Sequence, residues 1–407
     1  FRSGGNIAIV SPEITLFGLG GIDSGTEGKG NAGTINVQSD RLTLDNGAVI
    51  IANARGTGDG GEIFIQATEL IEVAGKDIPN QTPDGKSLPG GIIADVGFDV
   101  PNDGGDIYLE TERLTVTKGA FIAAGTKGSG DAGNITIVAE DLVEVIGGNA
   151  GNSTSQIVSA ARRNTTGQGG NVAITTKNLS IRDGGRINVG TESVGNGGDL
   201  SILATGTVEL KGTFTNGLPS SLVVQAEQEA TGTGGDIFLA AKNLSIADGG
   251  QISASTLGRG EGGSVTVDVQ DDISINGFTP FAESNNPRLS SFVRNAQGDI
   301  IPSGIFASSP GLGNADALNI NANSVNLDRQ AQLSVSSLQQ GAAGNLSINA
   351  DKIDLNNSIL SAETVEGDRA NIFLNTSNFQ LRNQSLVTTN ATQTATGGNI
   401  TIDTDIL

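Results

Sequence analysis

A glycine-anchored unit returns every 28 residues along this chain, and that period limits its fold more than any other feature. In the string GGDIFLAAKNLSIADGGQISAST, which starts at Gly234, the second glycine marks the anchor. Equivalent anchors fall at Gly5, Gly33, Gly61, Gly105, Gly133, Gly170, Gly198, Gly235, Gly263, Asp316, Gly344, Ala370 and Gly398. Seven of the twelve spacings are 28, one is 26, and the others are 37, 37, 44 and 53. So short a unit cannot bury a core of its own and must stack on its neighbours.

Each unit holds three runs of alternating apolar residues, the pattern of strands with one buried face. The first run places apolar residues two and four after the anchor, as in Ile35 and Val37 or Ile237 and Leu239. The second begins seven residues after the first of these, as in Leu42 and Leu44 or Leu244 and Ile246. In the units of Gly198 and Gly263 this offset reads as eight, at Val208 and Ile273. The third run follows, as in Ile50 and Ala52 or Ile252 and Ala254. Asn46-Gly47, Asp183-Gly184 and Asp248-Gly249 lie between runs and tolerate the positive φ of tight corners. Three strands and three corners per 28 residues describe one coil of a solenoid. The expected fold is all-β, a right-handed parallel β-helix of about 13 coils with three short strands each, roughly 60 Å long at about 4.8 Å per coil. A row of sandwich domains is excluded, because each would need about 100 residues.

The chain reads as a single continuous β-helix segment over 1–407, with loop insertions near 75–91, 147–155, 211–221 and 277–303. They occur in the units of Gly61, Gly133, Gly198 and Gly263, every second one, between the second and third runs. Coils stacked in register bring such loops out along one side, where repeat proteins often bind. The longest carries Phe278, Phe281 and Phe292, three of the 13 Phe residues. These are the candidate contacts for a partner or a neighbouring subunit. The alternative is that they fold back on the solenoid surface.

Composition narrows the function classes. Aromatics are 3% of the chain and Gly contributes 60 of its 407 residues, so the core must be thin layers of aliphatic side chains. The net charge of −21 argues against nucleic acid, which is bound through clustered Lys and Arg. With no His and no Cys, neither a Ser-His-Asp nor a Cys-His arrangement can form. Polysaccharide-active β-helix enzymes need carboxylates grouped on one face. The adjacent pair Asp271-Asp272 reads instead as a turn or a solvated pair, so no catalytic residue is assigned and no enzyme is expected. GNGGDL (195–200) and GTGGDI (232–237) partly match a calcium-binding nonapeptide. However, the residue after the anchor varies among Asn6, Thr34, Glu62, Asp106 and Ser264. That drift suits an Asx ladder capping turns better than a dedicated ligand, and no cofactor is expected. The chain has no Met, starts at Phe1 and shows no cap at either end. The expectation is a piece of a larger exported protein.

The strings GNAGTINVQSDRLTLDNGAVIIANARGTGDGGEI (30–63) and GGDIFLAAKNLSIADGGQISASTLGRGEGGSVTV (234–267) resemble the passenger regions of filamentous-haemagglutinin-type exoproteins. The similarity is closest to the haemagglutination-domain and S-layer-like proteins of cyanobacteria. It covers nearly the whole chain and is weakest at the insertions and around Asp316 and Ala370. The resemblance implies two-partner secretion through an outer-membrane transporter and a place on the extracellular, outer cell surface. It also implies adhesion, surface coating or fibre formation. The secretion domain of that family and its Asn-Pro-Asn-Gly motif do not occur in this sequence. The expected function is thus a structural and adhesive surface rod, self-associating into filaments or a layer. The alternative is a stalk that binds a glycan or another cell through its insertion loops, and a polysaccharide-active enzyme comes third.

Overall fold

The computed structural model describes residues 3–76, 80–81, 87–88, 90–95, 102–162, 166–192, 194–228, 230–280, 293–294, 300–367 and 370–407. Every regular element among the described residues is a β-strand. Two large sheets of 17 and 12 strands dominate, and the chain visits them alternately. In the larger sheet Ile35–Asp45, Ile63–Ala74, Ile107–Thr117, Ile135–Ile146 and Val172–Arg182 pair in that order, all parallel. The ladder continues to Leu318–Asp328, Leu346–Asn356, Ile372–Arg382 and Ile400–Ile406. The strands between them, such as Phe121–Ala123, Gln156–Ala161 and Arg186–Thr191, stack in the second sheet, also parallel. This second stack is consistent with one face of a β-helix.

Register follows the apolar pattern. Ile35, Ile63, Ile107, Ile135 and Val172 stand opposite one another on successive rungs. The longer spacings before Ile107 and Val172 leave this alignment untouched. A slip of one residue would turn every apolar side chain outward. The inward residues, such as Leu42, Leu44, Ile50, Leu114, Val116 and Ile122, are wholly buried in one long core. Burial of each contributes about 1.5–3 kcal/mol.

The first and second runs do not form separate strands in most coils. Ile35–Asp45 and Ile107–Thr117 each span both runs, because the bend between them keeps the backbone extended. Three runs therefore build two sheets. Nor is the offset of eight confined to the units of Gly198 and Gly263. In the units of Gly61 and Gly133, Ile71 with Val73 and Val143 with Val145 face inward, opposite Leu42 with Leu44 and Leu114 with Val116. Leu70 and Leu142, at offset seven, are only half-buried. All four units that carry an insertion thus hold one extra residue at the bend, taken up as a register shift of β-bulge type where the longer strands are continuous. The neighbouring pairs Leu70-Ile71 and Leu142-Val143 hid this, since hydrophobicity alone cannot choose between adjacent apolar residues.

The anchor glycines permit the coils to approach. A Cβ on Gly133 would lie 2.1 Å from the Gly105 carbonyl oxygen one coil back. The outward face of the second sheet is also covered, although its residues alternate like a solvent face. Gln251, Ser253 and Phe306 point away from the core and are 0–1% exposed. Leu218, Val223 and Ile301 form a small apolar cluster on that side. The Gln251 side chain donates to the carbonyls of Val293 and Pro302.

Candidate functional site: a loop ridge and a longitudinal groove

The insertions leave the parallel scaffold through antiparallel contacts. These are Asn80 with Leu88, Gly148 with Thr154, Thr213 with Pro219 and Phe278 with Pro302. Three of the insertions share one closure. A glycine at positive φ opens each, Gly147, Gly212 or Gly277, at 60°, 77° and 79°. A serine closes it, with Ser155, Ser220 and Ser303 donating their amides to those glycine carbonyls at 2.8, 2.9 and 3.0 Å. Each serine hydroxyl also donates to the last carbonyl of the second run, of Ile146, Lys211 or Asn276, at 2.8, 2.7 and 2.8 Å. The same oxygen accepts the amide of a turn glycine in the preceding coil, Gly119, Gly184 or Gly249, at 3.0, 3.0 and 2.9 Å. One hydroxyl thereby closes its own loop and satisfies a buried donor one coil back. This pairing gives the alternate-coil pattern a physical basis.

The loops lean on their neighbours. Asn149 donates to the Lys76 carbonyl at 2.9 Å, and Asn216 to the Asn152 carbonyl at 3.2 Å. The third insertion lies back over the previous turn, where a Cβ on Gly184 would meet Phe214 Cβ at 2.4 Å. The described parts of the insertions therefore join into a ridge. Of the three candidate phenylalanines, Phe278 is half-buried at the base of the longest loop, opposite Pro302. Phe281 and Phe292 lie outside the described residues.

A second feature was not legible in the sequence. The residues five after each anchor form one outward column on the concave side of the bend. It passes through Gln38, Gln66 and Glu110. It then runs through Val138, Thr175, Leu203, Ala240 and Asp268, and on through Asn321, Asn349 and Asn375 to Asp403. Three open sections of one trough follow one another along this column, and the middle one has a volume of about 1110 Å³. Their side chains are tied across coils. Gln66 donates to Glu110 at 2.9 Å, Asn321 to Asp268 at 2.6 Å and Asn375 to Asn349 at 2.9 Å. The floor is lined by small residues, including Ala67, Ala204, Ala241 and Ala350.

Beside the groove runs the column three after each anchor, also facing outward. It holds Phe64 next to Tyr108, then Phe238, then Phe373. The three phenylalanines are 37%, 38% and 41% exposed. Phe64 and Tyr108 pack with ring centroids 6.4 Å apart and planes tilted by 44°. The Tyr108 hydroxyl donates to Glu110 at 3.2 Å. Partial burial, that hydrogen bond and the nearby negative charge all raise the phenol's pKa.

The residue after the anchor serves the backbone. Asp106 Oδ1 accepts the amide of Asn134 at 2.7 Å, Asn134 that of Asn171 at 3.0 Å, and Asp199 that of Asp236 at 2.8 Å. A parallel column two before the anchor does the same, with Asp103 accepting from Asp131 and Asp131 from Gln168, both at 2.8 Å. Asn and Asp are interchangeable here because only one side-chain oxygen is needed. Among the described residues no group of three or more acidic side chains is placed to hold a metal ion. Asp271 and Asp272 are engaged coil to coil: the Asp271 carbonyl accepts the amides of Asn323 and Ser324, and Asp272 accepts the Ser324 hydroxyl at 2.6 Å.

Comparison with family models, with curated proteins and with solved structures gives no match. Among the described residues no helix is long and apolar enough to cross a membrane.

Proposed function

We propose that the two parallel stacks are faces of one right-handed parallel β-helix of about 13 coils, and that this rod is a non-enzymatic structural and adhesive element of an extracellular surface. Alternation of the chain between the stacks supports the solenoid, and parallel crossovers are right-handed in nearly all proteins. The observation that carries the function is mechanical continuity. Successive coils are joined by backbone ladders, Asx columns and the serine-closed ridge, and the ladder of the larger sheet runs from Ile7 to Ile406 with the extra residues taken up as bulges. Such a body suits load-bearing and display better than turnover. The resemblance to filamentous-haemagglutinin-type passengers supports export through an outer-membrane transporter and assembly at the cell surface. The ridge favours a second reading, in which the insertions grip a glycan or another cell.

Electron microscopy of the purified protein tests the architecture. The expected image is a rod, or a fibre whose axial repeat is a multiple of about 4.8 Å. A compact particle without that repeat would sink the proposal. Fibres would point to an architectural role, and separate rods to a stalk whose surface ligands matter.

A further inference from the structure

Resting on the adhesive half of that reading, we infer that the groove along the bend, and not the loop ridge, holds an extended uncharged polysaccharide. Phe64, Tyr108, Phe238 and Phe373 would act as its stacking platforms. Three observations carry this. The groove follows the stacked strands, so where its column is polar, from Gln38 to Glu110 and again from Asp268 to Asp403, side chains recur at about 4.8 Å, close to the length one hexose adds to an extended chain. Its lining mixes amides and carboxylates already bonded to one another, as in Gln66 to Glu110 and Asn321 to Asp268. Such arrays keep both donors and acceptors available for hydroxyl groups, which need both. Finally, the column beside the groove places aromatic rings next to each of its three sections, at Phe64 with Tyr108, at Phe238 and at Phe373. Elsewhere in that column the chain uses small residues, Ala, Ser, Asn or Thr, among them Thr136, Thr266 and Thr401.

Charge chooses among the polymers. Glu110, Glu112 and Glu140 line one section and Asp351, Asp403 and Asp405 another, so an anionic chain would be repelled. A basic peptide would find cation–π partners in the rings, but carboxylates of the groove such as Glu110 and Asp268 already accept from the amides of Gln66 and Asn321, and polylysine tests that rival directly. A neutral chain of pyranose rings offers apolar faces to the aromatics and hydroxyls to the groove.

The test is native affinity electrophoresis in gels containing hydroxyethylcellulose, galactomannan or carboxymethylcellulose, with polylysine binding followed in solution. The expected result is retardation by a neutral polymer and none by carboxymethylcellulose. Phe64→Thr, Tyr108→Thr, Phe238→Thr and Phe373→Thr install a residue this column already tolerates. Each should weaken retardation roughly fivefold to tenfold, and the combined variant should abolish it. Absence of retardation by either neutral polymer overturns the inference. So does retardation unchanged in the combined variant, or binding of polylysine alone. Loss of retardation on deleting 281–299, with the groove intact, assigns binding to the ridge and overturns it equally. Electron microscopy of the same variants reads the rod separately, so failure of the groove and failure of the architecture remain distinguishable.

Discussion

At the scale of single residues, hydrogen-bonding atoms with two duties matter most. Ser220 Oγ closes its own loop and accepts the Gly184 amide. Ser220→Ala would leave that buried amide unpaired. It should destabilise the fold by about 1–3 kcal/mol, read as a lower midpoint of chemical unfolding. The same change at an exposed serine such as Ser377 should have little effect. Tyr108 offers a second check, because it is the only tyrosine in the chain. Its phenolate absorbance should appear at higher pH than that of free tyrosine, since burial and Glu110 favour the neutral phenol. The raised pKa means its small stabilising contribution is present below pH ~10 and is lost as pH rises through the folded-state value. In ultraviolet titration Glu110→Gln should move the transition down. An unmoved transition would remove Glu110 as a cause.

Among elements, scaffold and insertions are separable. Pro280 and Ile300 stand opposite each other at the base of the longest loop, so a two-residue Asn-Gly turn can join them in place of 281–299. The far-ultraviolet spectrum of that variant should stay β-rich and its rods unchanged. Collapse of the secondary structure would mean that the loop is part of the scaffold. Glycines at the corners are less forgiving. Gly133→Ala would set a methyl group against the Gly105 carbonyl and should lower stability by about 1–3 kcal/mol through overpacking. That loss would be read by thermal unfolding.

For the whole molecule, nearest-neighbour stacking predicts that damage stays local. Leu239 is wholly buried between coils, and Leu239→Ala should remove about 2–5 kcal/mol from its own rung and those beside it. Hydrogen exchange should show lost protection there and near-native protection several coils away. Uniform loss along the chain would mean that the stacked strands unfold as a single unit. Exposed ion pairs between adjacent coils, such as Arg41 with Glu69 and Arg113 with Asp141, contribute little by comparison.

The repeat, its strands, the inward apolar columns and the positive-φ corners were legible in the chain itself, because period-2 alternation and Asx-Gly pairs act over a few residues. Asn46, Asp183 and Asp248 indeed adopt φ of 55°, 53° and 52°. Only the tertiary structure decided the rest. It chose Ile71 over Leu70 and Val143 over Leu142, because that choice depends on the partner strand. It gave Ser155, Ser220 and Ser303 their role, because the amides they serve lie one coil away. It tied Gln251, on the outward face of the second sheet, to the distant carbonyls of Val293 and Pro302. It also drew the residues five after each anchor into one groove, a column that exists only once the coils are stacked. Alternation along a strand is set by its own backbone, whereas a surface built across coils is set by register between strands.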